Sequence, residues 1–333
     1  MSIYISFAVV FSVMMIADLV GNTLVVLVVV KNNSMQTLVN NLLVNLAAAD
    51  IIVGIFFGIQ YIITPLLNHP EGLTGDILCK LVTGGVLGWV GAVSSVFSLV
   101  AIAIERYYAV MFPFSRKRKL TRKKVVQFAG LSWILALLWG GIGFFITVFD
   151  KEVNNCVHSW PNRIYASIYT VGWSVVAGFL PLGIMSLLYS RVVHRLWFTN
   201  QLRQRQANQM ALIRYRRRVT KLVIAVTIVY ALCWIPELTI YFLGFTGTIE
   251  LTPVHFSITS ALVFLNSTIN PIIYSLHSSA FRTQSRNLIC CRNGGKFNRR
   301  VQPVQRINGN NQGNIKKDIT RKIGSGNENM AMK

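Results

Sequence analysis

Apolar positions run almost unbroken through seven long stretches of this chain, at about residues 5–30, 38–66, 77–111, 125–149, 164–188, 219–245 and 254–276. Each is long enough for the ~20 apolar residues that an α-helix needs to cross a bilayer. Inside each stretch stands one polar, cyclic or indole residue: Asn22, Asp50, Arg106, Trp133, Pro181, Pro236 and Pro271. An acid such as Asp50, set in the run LVNLAAADIIVG, is costly in lipid unless it faces a bundle interior. The pattern predicts an all-α membrane protein, a seven-transmembrane helix bundle with these landmarks turned inward.

Beyond the seventh stretch, residues 278–289 place Phe281, Leu288 and Ile289 beside Arg282 and Arg286. That spacing predicts a short amphipathic eighth helix lying on the membrane surface. Residues 1–290 therefore read as one membrane domain. Residues 291–333 are rich in Asn, Gly, Gln and Lys without periodic apolar positions, and are expected to form a disordered, basic cytoplasmic tail. The first apolar run is too long for a cleavable signal and reads as a signal anchor. With about four residues ahead of it, no outer domain is expected there.

Composition sharpens the class. Hydrophobic residues make up 53% of 333 positions and charged residues 13%, about half the usual soluble share. A net charge of +22 raises the question of nucleic acid, but the distribution answers it. Of 33 Lys and Arg residues, all but Lys80, Lys151 and Arg163 fall on one side of the predicted spans. The positive-inside rule makes that side cytoplasmic, with the C-terminus inside and the N-terminus outside. Basic residues so near span ends attract anionic membrane lipid at ~1 kcal/mol each, and no nucleic-acid partner is expected. The sequon Asn32-Asn33-Ser34 falls in a cytoplasmic loop and is expected to be unmodified.

The five cysteines divide in the same way. Cys79 and Cys156 both face the oxidising side and are expected to be bridged. Cys233 lies within a span and reads as core. Cys290 and Cys291 follow the amphipathic segment, where they are either reversibly palmitoylated or plain reduced thiols.

The third stretch ends in Glu105-Arg106-Tyr107, with Pro113 seven residues beyond the arginine. Beside it stand Gly21-Asn22, LAAAD ending at Asp50, Trp133, CWIP (Cys233 to Pro236), NPIIY (Asn270 to Tyr274) and Phe281. This ordered set, covering about residues 18–288, resembles the rhodopsin-like (class A) G-protein-coupled receptors. The wording of ERYYAV and CWIP is most similar to neuropeptide receptors. The resemblance implies a plasma-membrane receptor without enzymatic activity, with a heterotrimeric G protein and an extracellular peptide as partners.

It also implies roles. Arg106 pairs with Glu105 at rest and is released toward the G protein on activation. Tyr107, Pro113 and Phe114 belong to the surface that meets the G protein, Phe114 as an aromatic knob. Many relatives carry a second acid twenty residues before Pro236; here that residue is Arg216, and its absence is expected to raise basal activity. Trp234 resembles the rotamer toggle, Tyr230 stands where most relatives have Phe, and Val96 is the companion position. Tyr189 and Tyr274 match the inner tyrosines that meet through water in active states. Pro181, Pro236 and Pro271 free backbone carbonyls and mark hinges. Asp50, Ser95, Asn266, Ser267 and Asn270 match the family's allosteric sodium site, an oxygen-only set that suits a hard cation; a hydrogen-bonded polar cluster without an ion is the alternative. Asp18, one turn before Asn22, shares its face and is expected to point inward. Beyond that ion the chain is expected to need no cofactor.

For the ligand, Glu237 is the foremost candidate. It follows CWIP directly, and Trp234, Glu237 and Tyr241 occupy one helical face at i, i+3 and i+7. A cavity-facing acid implies a cationic ligand group, an arginine or an amine; a hydrogen-bonded structural acid is the plainer alternative. Gln60, Trp89, Ser260 and Phe264 are expected to line the same pocket. Receptors for amines carry an acid at the place of Gly88, and opsins a lysine at the place of Phe264, so both ligand types are disfavoured. Peptide and lipid remain, and an acid excess in the outer loops (Glu71, Asp76, Asp150, Glu152, Glu250) favours a cationic ligand by steering. Two departures stand out: Cys79 lies 27 residues before Arg106 where relatives usually have 25, and Leu73 replaces a common outer-loop tryptophan.

Two other classes fit the chain less well. An ion-coupled transporter would use Asp18, Asp50 and Glu237 as relays, but the chain shows no internal repeat of the kind transporters carry. An enzyme would need metal-spaced histidines or a nucleophile elbow, and the five histidines are scattered through loops and helix ends.

Overall fold

The computed structural model describes residues 2–113, 115, 120–152, 155–198 and 207–290. In chain order the elements are α1 (Ser2–Lys31), α2 (Leu38–Gly58), α3 (Gly72–Leu78), α4 (Val86–Met111), α5 (Arg122–Gly140), α6 (Gly143–Ile146), β1 (Thr147–Asp150), β2 (Asn155–His158), α7 (Arg163–Ser174), α8 (Leu180–Val193), α9 (Ala207–Phe245), α10 (Pro253–His277) and α11 (Ser279–Ile289). Among the described residues, seven helical segments are long and apolar enough to cross a membrane. Short polar residues set their starts: Thr37, Thr121, Asn162 and Thr252 each accept the N–H three residues on, which satisfies one of the orphan donors of a helix end. Ser278 does the same for α11, which begins and ends almost where the amphipathic pattern places it.

The third span is the axis of the bundle. α4 packs on α2, α5, α8 and α9, while α1 closes the far side against α2 and α10. Its buried face carries Val90, Val93, Val96, Leu99 and Ile102. The outward faces are as apolar as the core, with Val13, Ile16, Val20, Leu138, Phe179, Leu187 and Leu232 exposed. Such inversion is natural where the surroundings are hydrocarbon and the polar atoms must be satisfied internally. Trp133 accordingly turns inward: its indole donates to Asn45 Oδ1 at 3.0 Å, and Asn45 Nδ2 donates to Ser98 at 2.7 Å and Ser132 at 3.2 Å. One asparagine thus ties α2, α4 and α5 together.

Four segments depart from the expected spans: the fifth runs on to Phe198 and the sixth begins by Leu212, each longer at the same end of the bundle, while the fourth and third differ in kind. The fourth helix stops at Ile146 rather than running to Phe149; Thr147–Asp150 instead pair antiparallel with Asn155–His158. The hairpin supplies the backbone bonds that a chain leaving a helix must find elsewhere, and its register sets Phe149 opposite Cys156. Cys156 is bridged to Cys79, as expected from their shared side. The third span starts earlier than expected, at Gly72, and is broken. A π-turn over Cys79–Thr83 leads into Gly84 and Gly85, the latter at φ +70°, before α4 begins.

At the opposite interface, Gly21 of α1 meets the ring of Pro271. A Cβ on Gly21 would lie 2.9 Å from two Pro271 side-chain carbons. Gly21→Ala should therefore destabilise by about 1–3 kcal/mol through overpacking. Gly130→Ala, where a Cβ meets nothing within 4 Å, should stabilise by about 0.5–1 kcal/mol through helix propensity. Thermal unfolding of the two detergent-solubilised variants checks this; equal melting points would contradict the close approach.

Candidate functional site

The residues singled out for a ligand converge at the disulfide end of the bundle. Glu237 of α9 is 1% exposed. The Trp173 indole hydrogen-bonds its carboxyl group, while Oε2 has no partner among the described residues. One turn away, the equally buried Trp234 has its indole N–H unpartnered among the described residues. An acceptor and a donor thus stand side by side in an aromatic surround. Trp173 stacks on Trp234 with centroids 6.2 Å apart, and Trp89 meets Trp173 at 5.6 Å and Phe57 at 5.2 Å. Phe264 meets Phe57 at 6.1 Å and Phe11 at 5.9 Å. Tyr169, Tyr230 and Tyr241 all lie within electrostatic reach of Glu237.

One candidate occupies an unexpected position. Gln60 does not join the aromatic group; its Oε1 packs against Gly85 at the break in the third span. Its neighbour Tyr61, which the sequence reading passed over, donates to Ser260 at 2.7 Å and stacks on Phe11 at 4.2 Å. The π-turn Ile59–Ile63 explains the choice, because a π-turn rotates the following side chains out of simple helical register. Nothing in the periodicity of the segment signals it.

Halfway along the bundle lies a polar core. Asp50 accepts from Ser95 Oγ at 2.9 Å on Oδ1 and from Asn270 Nδ2 at 2.8 Å on Oδ2, with Ser267 also in hydrogen-bonding reach. The side-chain carbonyl oxygens of Asn266 and Asn270 are buried without partners among the described residues. The donor set is oxygen throughout and carries one or two carboxylates, so its chemistry fits a hard monovalent cation. Asp18 extends this core onto α1. Its Oδ1 accepts from Asn22 at 2.9 Å, Asn22 also donates to the Ser267 carbonyl at 3.4 Å, and Oδ2 lies where a side chain on Gly54 would stand. Asp18 thus points inward on the face of Asn22, as its spacing predicts.

At the other end Arg106 forms a buried ion pair with Glu105. Tyr107 packs edge-on against Tyr108 and Phe112, and Pro113 is exposed. Tyr189 is buried within electrostatic reach of the pair. Tyr274 is buried with its hydroxyl unpartnered among the described residues. Arg216 is half-buried near the start of α9. Its neighbour Arg217, which belongs to no motif in the sequence, donates through Nε to the Leu196 carbonyl at 2.9 Å and lies 5.3 Å from the Trp197 ring. It fastens α9 to the end of the fifth span. Cys290 is exposed and Cys233 buried, both as free thiols. Phe114, Cys291 and residues 291–333 lie outside the described residues.

Comparison with known proteins matches this arrangement. The profile of the 7 transmembrane receptor (rhodopsin family) fits residues 21–274. The chain is similar to the QRFP-like peptide receptor of Branchiostoma floridae, at 28% identity over 297 residues, covering 84% of this chain and 76% of that protein. It is similar to the allatostatin-A receptor of Bombyx mori at 29% over 288 residues, covering 83% and 77%. To the pyroglutamylated RF-amide peptide receptor of Mus musculus it is 25% identical over 294 residues, covering 82% and 67%. With seven spans, an ion pair at Arg106 and a polar core at Asp50 in the order that the family profile spans, the chain belongs to the rhodopsin family of seven-transmembrane receptors.

Proposed function

We propose that this receptor binds an extracellular peptide bearing a cationic group and activates a heterotrimeric G protein. The observation that carries the reading is the Glu237 carboxylate, buried in an aromatic cluster with one oxygen unpartnered. A guanidinium or ammonium answers both features: it forms a charge-assisted bond to the acid and cation–π contacts with rings such as Trp173 and Trp234. Relatives named for RF-amide peptides and allatostatin-A support a peptide over a lipid. The excess of basic residues at the Arg106 end supports a cytoplasmic position for that end and an extracellular one for the disulfide.

The mechanism follows from the column of side chains on α9. Trp234 sits one turn from Glu237 and two residues before Pro236, where the freed backbone allows a bend. A ligand that engages Glu237 and the Trp234 indole in one arrangement more tightly than in another shifts the balance between them. A swing of the Arg106 half of α9 then breaks the Arg217–Leu196 fastening and opens a crevice beside Arg106 and Pro113. By linkage, the G protein raises agonist affinity by the factor that agonist raises G-protein affinity. A sodium ion held by Asp50, Ser95, Asn266, Ser267 and Asn270 would add positive charge to the core and favour the arrangement in which those oxygens stay together. Residues 1–290 act as the receptor domain, and Cys290 with Cys291 as acylation sites beside α11.

Three measurements test this reading. Glu237→Gln should raise the half-maximal concentration of arginine-bearing peptide agonists about 10- to 100-fold, the ~1.5–3 kcal/mol of a charged hydrogen bond; unaltered potency across such peptides would refute the acid's role. Arg216→Glu, which restores an acid near Arg106, should lower ligand-independent nucleotide exchange about threefold, the ~0.6 kcal/mol of a partly exposed pair, and unchanged basal output counts against it. Membranes holding the protein should promote guanine-nucleotide exchange on added G protein; solute uptake into vesicles without such exchange would favour the transporter reading.

A further inference from the structure

Tyr230 is fully buried on α9, with its ring 5.7 Å from that of Trp234. Its hydroxyl donates to the backbone carbonyl of Ala177. Ala177 lies four residues before Pro181. In a regular helix residue 181 would donate its N–H to that carbonyl, but proline has none to give. The local backbone widens into a π-turn over Val175–Phe179, a distortion of the kind that re-aims groups at functional positions. A carbonyl that its own helix leaves short of a donor is therefore completed from another helix. Ala177 is itself fully buried, so the acceptor is shielded from solvent.

We propose that this bond is a latch: the Tyr230 hydroxyl is a positioning group that holds the sixth span against the fifth in the resting receptor and sets the balance between resting and active arrangements. The inference rests on the receptor reading above, and in particular on movement of α9 about Pro236. Tyr230 lies six residues from that proline toward the Arg106 end, about 9 Å along the axis, and so belongs to the half that moves. When that half swings away, the Ala177 carbonyl is left in a water-poor interior with neither its helical donor nor the phenol. Leaving a buried acceptor unmade is unfavourable, so the latch weights the equilibrium toward rest. A phenylalanine fills the same volume and provides no donor, which makes the hydroxyl separable from the packing of the ring.

The test uses the full chain in lipid, with Cys290 and Cys291 replaced by serine and spin labels at the exposed positions of Arg214 on α9 and Lys123 on α5. Tyr230→Phe should raise the ratio of long- to short-distance populations about three- to tenfold, the range that interhelical hydrogen bonds give in membranes. Ligand-free nucleotide exchange should rise in step. In a Pro181→Ala background, where residue 181 regains an N–H for the Ala177 carbonyl, the same Tyr230→Phe change should have less than half the effect on both readouts. An unaltered distance distribution in Tyr230→Phe overturns the proposal, as does an equal effect in both backgrounds. The distance measurement needs neither ligand nor G protein, so failure of the receptor reading would be recognised separately.

Discussion

A helix in hydrocarbon satisfies its own backbone, but an acid or amide side chain has more polar atoms than its own helix can partner, and these must find one another. That constraint organises this protein around Asp50, which stands between Ser95 of α4 and Asn270 of α10 at hydrogen-bonding distance from both. With Asn22 reaching the Ser267 carbonyl, four spans share one polar core. Apolar packing alone would leave helices free to slide, because lipid tails are as apolar as leucine. The core fixes their register, and the Asn45–Trp133 network repeats the device for α5.

Along α9 the chemistry is graded. A Glu237 carboxyl group held by Trp173 through one oxygen gives way to the Trp234 indole, then to the Tyr230 phenol bound to Ala177, and finally to Arg217 fastened at Leu196. Successive groups on one helix are thus held by different neighbours, so a displacement at one level is felt as strain at the next. Pro236 interrupts the sequence where the backbone is weakest.

The sequence was most legible where a residue has one physically acceptable solution. Asp50 in an apolar run has to face inward, and Cys79 and Cys156 on one side have a single outcome; the pairing of Glu105 with Arg106 came from the resemblance to the family. The amphipathic spacing of α11 was equally direct. It was least legible where the outcome depends on distant parts of the chain. Thr147–Phe149 are apolar enough to extend the fourth span, and only pairing with Asn155–His158 makes them a strand. Tyr61 and Gln60 differ by one position, and a π-turn decides which reaches Ser260. Asn45 and Arg217 carry no motif; their importance comes from partners 88 and 21 residues away.

The glycine joint at Gly84–Gly85 changes how load passes through the molecule. An uninterrupted third helix would behave as a rod from Gly72 to Met111, and any torque on its disulfide end would arrive at Arg106. With Gly85 in the left-handed region, the piece from Gly72 to Thr83 instead belongs mechanically to the hairpin that Cys156 anchors. Its orientation is thereby set by the disulfide and the hairpin, and that of α4 by its own packing against α2, α5 and α8.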